Sequence, residues 1–377
     1  MNRLSNHIVP FVFLLLLSTL SFAQKPSFDW GVGLDYIFDN AEYSRSSEAF
    51  DKSGTLHGVR LVPAVGIMLP QGENVTHRVR LGIDLVKYAG EQLSAGSVFN
   101  EVTLYYDCSL ALSDGGTFEA LAGCFPRKYF GGSYRGPVFD GPVLFKDRNV
   151  EGMLFKYSNS DLHAELGLDW MGRYGDDAHP ARRERFQILT SGDWRFAGPF
   201  HLNWVGSFYH YANSPDVYGV VDNHLINPML EWRPSTALDL LSLSAGGIVT
   251  YQCDRAYEDF IRAPGGFYSR QAFEKWHVGI HNSFYCGSDL QPFLAKYGTE
   301  LYPGQPMFHT LSARPSCADE LAIVFRPCIA SWLDLSVAAV FDFGTAYPEL
   351  GTGFYRGCRQ VVLLRIDIER FPSEICR

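Results

Sequence analysis

The residues whose types and spacing could do chemistry are mostly fixed charges. The stretch 126–148 carries Arg127, Lys128, Arg135, Asp140, Lys146 and Asp147, with Tyr129, Phe130 and Tyr134 among them. Arg60, Arg78, Arg80, Arg326 and Arg365 recur elsewhere inside alternating stretches. Guanidinium and carboxylate groups lining a watery passage set ion preference and orient polar solutes. The same groups would also serve as an ordinary hydrated wall, neutralised by Asp35, Asp84, Asp107 and Asp367.

Hydrolytic chemistry needs a nucleophile, a base and a group that orients the base. His163 and Glu165 share one strand face and His277 and His281 another, pairings that any strand scatters. His179 lies in the charged run "DDAHPARRER", which reads as a solvated loop. No GxSxG or HExxH occurs. The expectation is therefore no catalytic residue and no enzyme activity. The eight cysteines are widely spaced and form no CxxC, so neither a metal nor another cofactor is expected. Cys108 and Cys124 fall on successive strands and could pair, although Cys108 also fits as a small apolar side chain.

The elements that hold these groups show period-two patterning. In "LHAELGLDWMG", Leu162, Ala164, Leu166, Leu168 and Trp170 form one row; His163, Glu165, Gly167 and Asp169 form the other. A strand places these rows on opposite faces. The pattern recurs at Trp30 to Phe38, Val59 to Ile67, Val79 to Leu85, Val102 to Leu110, Leu333 to Phe343 and Val362 to Ile368. Charges in the middle of such strands fit a wet interior, with the apolar rows facing lipid. About sixteen strands emerge, with fourteen or eighteen also compatible. They begin near 29, 57, 77, 101, 117, 149, 162, 184, 199, 224, 240, 274, 290, 320, 332 and 359. Pro63 and Pro228 weaken two of them.

The connections alternate between long and short. The long ones are 39–56, 89–100, 126–148, 172–183, 212–223, 254–273, 300–319 and 345–357; the short ones include "SDGG", "SNSD", "FAG", "RPST" and "GSDL". This asymmetry points to a closed antiparallel transmembrane β-barrel, all-β, with long external loops and short periplasmic turns. Trp30, Trp170 and Trp232 fall at strand ends on the apolar row, where interfacial Trp belongs. The start "MNRLSNHIVPFVFLLLLSTLSFAQ" reads as a signal peptide, residues 1–23, cleaved near Ala23. Residues 24–377 then form a single barrel domain, since no linker or low-complexity segment interrupts them. A formal net charge of −9 argues against nucleic acid as a partner.

Leader, strand rows and loop asymmetry together resemble the Gram-negative outer-membrane β-barrel proteins of the porin-like size class. The stretch "RIDIERF" ends at Phe371 as the closing strands of such barrels do, although "PSEICR" follows it. "YGTELYPGQPMF" and "PRKYFGGSYRGPVFDG" look like loops of uncharacterised barrels from gut-type bacteria. The resemblance implies an outer-membrane location, lipid and the barrel-assembly machinery as partners, and a third external loop that folds inward. Trimers are common in the class, but the apolar rows reveal no subunit interface.

The expected function is a channel for passive diffusion of small polar solutes, narrowed by loop 126–148. Its pore-lining or constriction residues would be Arg60, Arg78, Arg80, Arg127, Lys128, Arg135, Asp140, Arg326 and Arg365. The alternative is a cell-surface glycan-binding or polysaccharide-export barrel without an open pore. Tyr209, Tyr211, Tyr218 and Tyr268 near the outer rims would stack on sugar rings in that case.

Overall fold

A computed structural model describes residues 25–43, 53–92, 98–255, 260–290, 304–308, 315–345 and 355–368. The leader 1–23 and Phe371 lie outside the described residues. Within them, period-two sequence becomes strand almost everywhere. The strands are β1 (Ser27–Tyr43), β2 (Gly54–Gln71), β3 (Val75–Tyr88), β4 (Phe99–Ala111), β5 (Thr117–Pro126), β6 (Asn149–Ser158), β7 (Leu162–Gly172), β8 (Arg185–Ala197) and β9 (Phe200–Tyr211). They continue as β10 (Val221–Trp232), β11 (Leu240–Asp254), β12 (Phe260–Arg262), β13 (Gly265–Lys275), β14 (Val278–Gly287), β15 (Ser316–Phe325), β16 (Cys328–Ala330), β17 (Leu333–Gly344) and β18 (Tyr355–Asp367). β12 and β16 are three-residue extensions. The other strands, sixteen among the described residues, pair antiparallel with their neighbours, and β1 pairs with both β2 and β18 to close the barrel.

The two rows of a strand meet different surroundings. Leu166 is 51% exposed on the outside, while Glu165 and Asp169 are each 3% exposed inside. That inversion of the soluble pattern is the outer-membrane arrangement, with apolar residues toward lipid. Both prolines sit within strands. The ladder from β10 to β11 is interrupted at Asn227 and Pro228, where Pro offers no N–H. The Asn227 side-chain amide donates to Gly247 O there at 2.8 Å, so the carbonyl keeps a partner.

Two expected strand positions are corrected. The strands expected near 274 and 290 are β13 and β14, which start at Gly265 and Val278. The short turn between them is Trp276 and His277, not "GSDL", which instead opens the long connection to β15. Both turn residues have left-handed φ, 51° and 69°. Neither is Gly, Asn or Asp, so the sequence carried no turn signal there. The Trp276 N–H donates to Asp239 Oδ2 at 2.8 Å, which holds the turn. His277 is thus not a strand partner of His281.

Cysteine pairing is corrected as well. Among the described residues, Cys286 and Cys317, opposite each other on β14 and β15, form a disulfide. Cys108 and Cys124 are both free: Cys124 sits opposite Leu104, while Cys108 sits opposite Ala120, so the two are offset by two repeats of the pleat.

The connection 127–148 folds into the barrel. It contains a 3-10 turn, Arg127–Tyr129, and a short helix α1, Gly141–Lys146. Tyr134, Val138 and Phe139 from this loop pack with Leu189, Val205, Tyr268, Tyr285, Met307 and Phe308 in a buried apolar cluster inside the wall. A second cluster joins Tyr105, Leu121, Phe125, Val150 and Leu154 to Tyr129 and Phe130.

Candidate functional site

Three of the nine residues expected to line a pore, Arg60, Arg127 and Lys128, instead hold the inner loop against the wall. Arg60, 1% exposed, pairs with the buried Asp84, donates to Lys146 O at 3.2 Å and lies 5.3 Å from the Phe145 ring centre. Arg127 bridges Asp147 and Asp169, each at 2.9 Å, over the Phe139 ring. Lys128 meets Asp367 at 2.9 Å, and Arg148 meets Asp35 at 2.8 Å. Glu165 accepts the Gly131 and Gly132 N–H groups at 2.9 and 2.8 Å. Gly132 must lack a side chain, because a Cβ would stand 2.3 Å from Ser191 Cβ and 2.5 Å from Glu165 Oε1.

The remaining expected residues scatter. Arg80 pairs with Asp29, and Arg78 stands 3.5 Å from both Asp29 and Asp107. Arg365 meets Asp35 at 2.8 Å. Asp140 caps α1, accepting the Val143 N–H at 2.6 Å. Burial raises its carboxyl pKa above the ordinary value, and this hydrogen bond opposes the rise. Arg326 reaches Glu274 at 3.3 Å near the short-turn end. Arg135 and Arg326 both line an inner cavity of about 770 Å³. Its lining runs from Gly131, Gly132 and Arg135 of the inner loop to Arg233, Leu240 and Arg326 beside the short turns.

A serine, an imidazole and a carboxylate do meet at that end. Ser158 Oγ lies 2.8 Å from His163 Nδ1, and His163 Nε2 lies 3.3 Å from Glu165 Oε2. Glu165 is already committed to two loop N–H groups, which makes it an anchor for the loop. Of the tyrosines proposed to stack on sugars, Tyr209 and Tyr268 turn inward and are 1% exposed; Tyr218 remains open. Tyr211 lies under the Arg183 guanidinium, 3.6 Å from its ring centre.

The lipid-facing wall carries two polar clusters at the external ends of the strands. One spans β18, β1 and β2. Asn40 Nδ2 donates to Gln360 Oε1 at 2.7 Å and Glu42 Oε1 at 3.0 Å, and the Thr55 hydroxyl donates to Asn40 Oδ1 at 2.7 Å. His57 lies between the Tyr36 and Phe38 rings, at 5.5 and 5.8 Å.

The other cluster spans β7 to β11. Trp170, Phe186, His210 and Asp222 are successive cross-strand partners. Trp170 stacks on Phe186 at 5.4 Å, and Phe186 stacks on His210 at 5.1 Å. One step toward the periplasm, His224 lies 5.6 Å from Phe208 and 6.1 Å from Tyr251. His210 Nδ1 is 2.7 Å from Asp222 Oδ1, and Arg255 Nη2 donates to Asp222 Oδ2 at 2.5 Å. A carboxylate only accepts, so Nδ1 carries the proton, and in the neutral ring Nε2 keeps its lone pair. Among the described residues, His210 is the one outward imidazole of the external half that holds a carboxylate. Trp170 places it at the girdle, the depth at which headgroups meet acyl chains. In sequence His210 is hidden between Tyr209 and Tyr211, and Asp222 lies across a loop from it. The usable signal was a His and an Asp breaking the apolar row at one depth of adjacent strands.

A family model described as lipid A 3'-O-deacylase-type matches residues 32–355. This overturns the expectation of no enzyme activity, since the family is an enzyme family. No curated protein matches the sequence. Among solved structures, a loop-deletion mutant of OmpT from Vibrio cholerae has 9% identity and a TM-score of 0.51, covering 91% of this chain and 100% of that one. OpdL of Pseudomonas aeruginosa has 10% identity and a TM-score of 0.46, covering 90% and 98%. Salmonella typhi OmpF, in complex with daunomycin, has 9% identity and a TM-score of 0.45, covering 90% and 97%. The first likeness supports the outer-membrane barrel fold.

Proposed function

Because this chain belongs to the lipid A 3'-O-deacylase-type family, we propose that it hydrolyses an acyl ester of a lipid A-like glycolipid at its lipid-facing wall. The observation that carries the reading is the His210 and Asp222 pair at the external girdle. Such an ester sits where sugar meets acyl chain, so the reacting carbon is at the depth of this pair. His210 Nε2 removes a proton from water as the water oxygen attacks the acyl carbon. Asp222 holds the ring and stabilises the imidazolium, and Arg255 fixes Asp222. When the tetrahedral intermediate collapses, His210 returns the proton to the sugar oxygen, releasing a fatty acid and a free hydroxyl. The stacked Trp170 and Phe186 keep the imidazole plane in place. The chain reaches the outer membrane with residues 1–23 as its leader and is inserted by the barrel-assembly machinery.

The test is mass spectrometry of lipid A from cells with and without the protein. Loss of one ester-linked acyl chain supports the reading; an unchanged lipid A profile with folded protein present contradicts it. A second reading, solute diffusion through the lumen, draws on the watery cavity and charged wall, but the inner loop builds an apolar core across its path. Steady current steps in a planar bilayer would favour diffusion.

A further inference from the structure

We propose that the periplasm-facing cavity binds a small anionic solute, a phosphate or carboxylate, between Arg135 and Arg270. The cavity, about 770 Å³, is lined by four arginines: Arg135, Arg233, Arg270 and Arg326. Two of them are satisfied. Arg233 meets Asp193 at 3.1 Å and Glu231 at 2.7 Å, and Arg326 meets Glu274 at 3.3 Å. Arg135 and Arg270 make no salt bridge among the described residues, although both reach the same space. Of the lining carboxylates, Asp193 and Glu231 are held by Arg233, which leaves Glu320. Glu320 accepts both contacts of the Gln305 amide, at 3.0 and 3.1 Å.

The two open guanidiniums belong to different elements that line the same cavity. Arg135 comes from the inner loop. Arg270 sits on the inward row of β13, one step toward the periplasm from Tyr268. A Cβ on Gly136, next to Arg135, would stand 3.4 Å from the Tyr268 hydroxyl. Arg135 is exposed to the cavity, and Glu320 and Asp39 are the carboxylate charges that act on it. A cation held inside a wall with no bonded counter-ion favours an anion entering from water. Guanidinium forks match the planar or tetrahedral oxygens of carboxylate and phosphate. The lining reaches Arg233, Leu240 and Arg326 beside the short turns, so the anion would arrive from the periplasm.

The probe is inorganic phosphate, titrated calorimetrically into the folded full-length protein in detergent at constant ionic strength. Saturable binding is expected for the native chain. Double replacement of Arg135 and Arg270 by Ala should weaken it about tenfold or more. R326A, which removes a paired arginine of the same cavity, should bind nearly as well. Should the double variant fail to fold, as judged by heat-modified gel mobility, R135K with R270K keeps the charge but loses the fork, and weakened binding is again expected. Absence of saturable binding to the native protein, or equal binding by the substituted chains, overturns the proposal. Lipid A deacylation is read separately, so failure of one claim leaves the other standing.

Discussion

At the residue scale, the buried Arg60 and Asp84 pair shows what the inner charges do. Removing one partner leaves the other as an uncompensated charge inside the wall, which costs about 3–5 kcal/mol. Asp84→Ala should therefore lower the denaturant midpoint clearly, while removing the exposed Arg195 partner of Asp161 should change the unfolding free energy by less than about 1 kcal/mol and barely move the midpoint. Equal midpoints for the two variants would refute the division between clamp and surface pair. The sequence made these pairs partly legible. It offered Asp84, Asp107 and Asp367 as neutralising partners, and the structure joins them to Arg60, Arg78 and Lys128. It could not reveal that Arg127 and Lys128 of the loop are spent holding the loop, because Arg127 and Asp169, like Lys128 and Asp367, are far apart in sequence.

At the element scale, strand faces were the most readable feature, since a strand's period of two fixes which side meets lipid. Leu166→Arg on the outer row should cost about 2–4 kcal/mol near the bilayer midplane. Folding titrations into bilayers measure this, and a neutral result would mean that the rows are reversed. The Trp276 and His277 turn was illegible because its left-handed residues are of types that rarely adopt that backbone. The inner loop's seat was partly legible from its place and length, but its anchor is a close approach of backbone to Glu165. Gly132→Ala should displace this loop at a cost of about 1–3 kcal/mol, seen as a lower midpoint and faster proteolysis within 127–148. Unchanged protease resistance would show that Glu165 does not seat it.

At the scale of the whole molecule, the barrel separates two environments. Its lumen is filled midway by an apolar core and opens to a cationic cavity below. Its outer girdle carries the imidazole and carboxylate pair, facing the lipid whose ester it would cleave. The barrel was legible in the sequence, and the diffusion channel expected from its mid-strand charges stays as the second reading that bilayer current would test. An alternating strand pattern says which face a residue takes and nothing of what fills the lumen. The most direct measurement is fatty acid release from lipid A micelles by purified protein carrying His210→Ala, Asp222→Asn or His57→Ala. The account predicts a loss of about a hundredfold or more for His210→Ala, a large loss for Asp222→Asn, and near-native release for His57→Ala. Native release from folded His210→Ala, with loss in His57→Ala, would contradict it and move the chemistry to the cluster on β1 and β2.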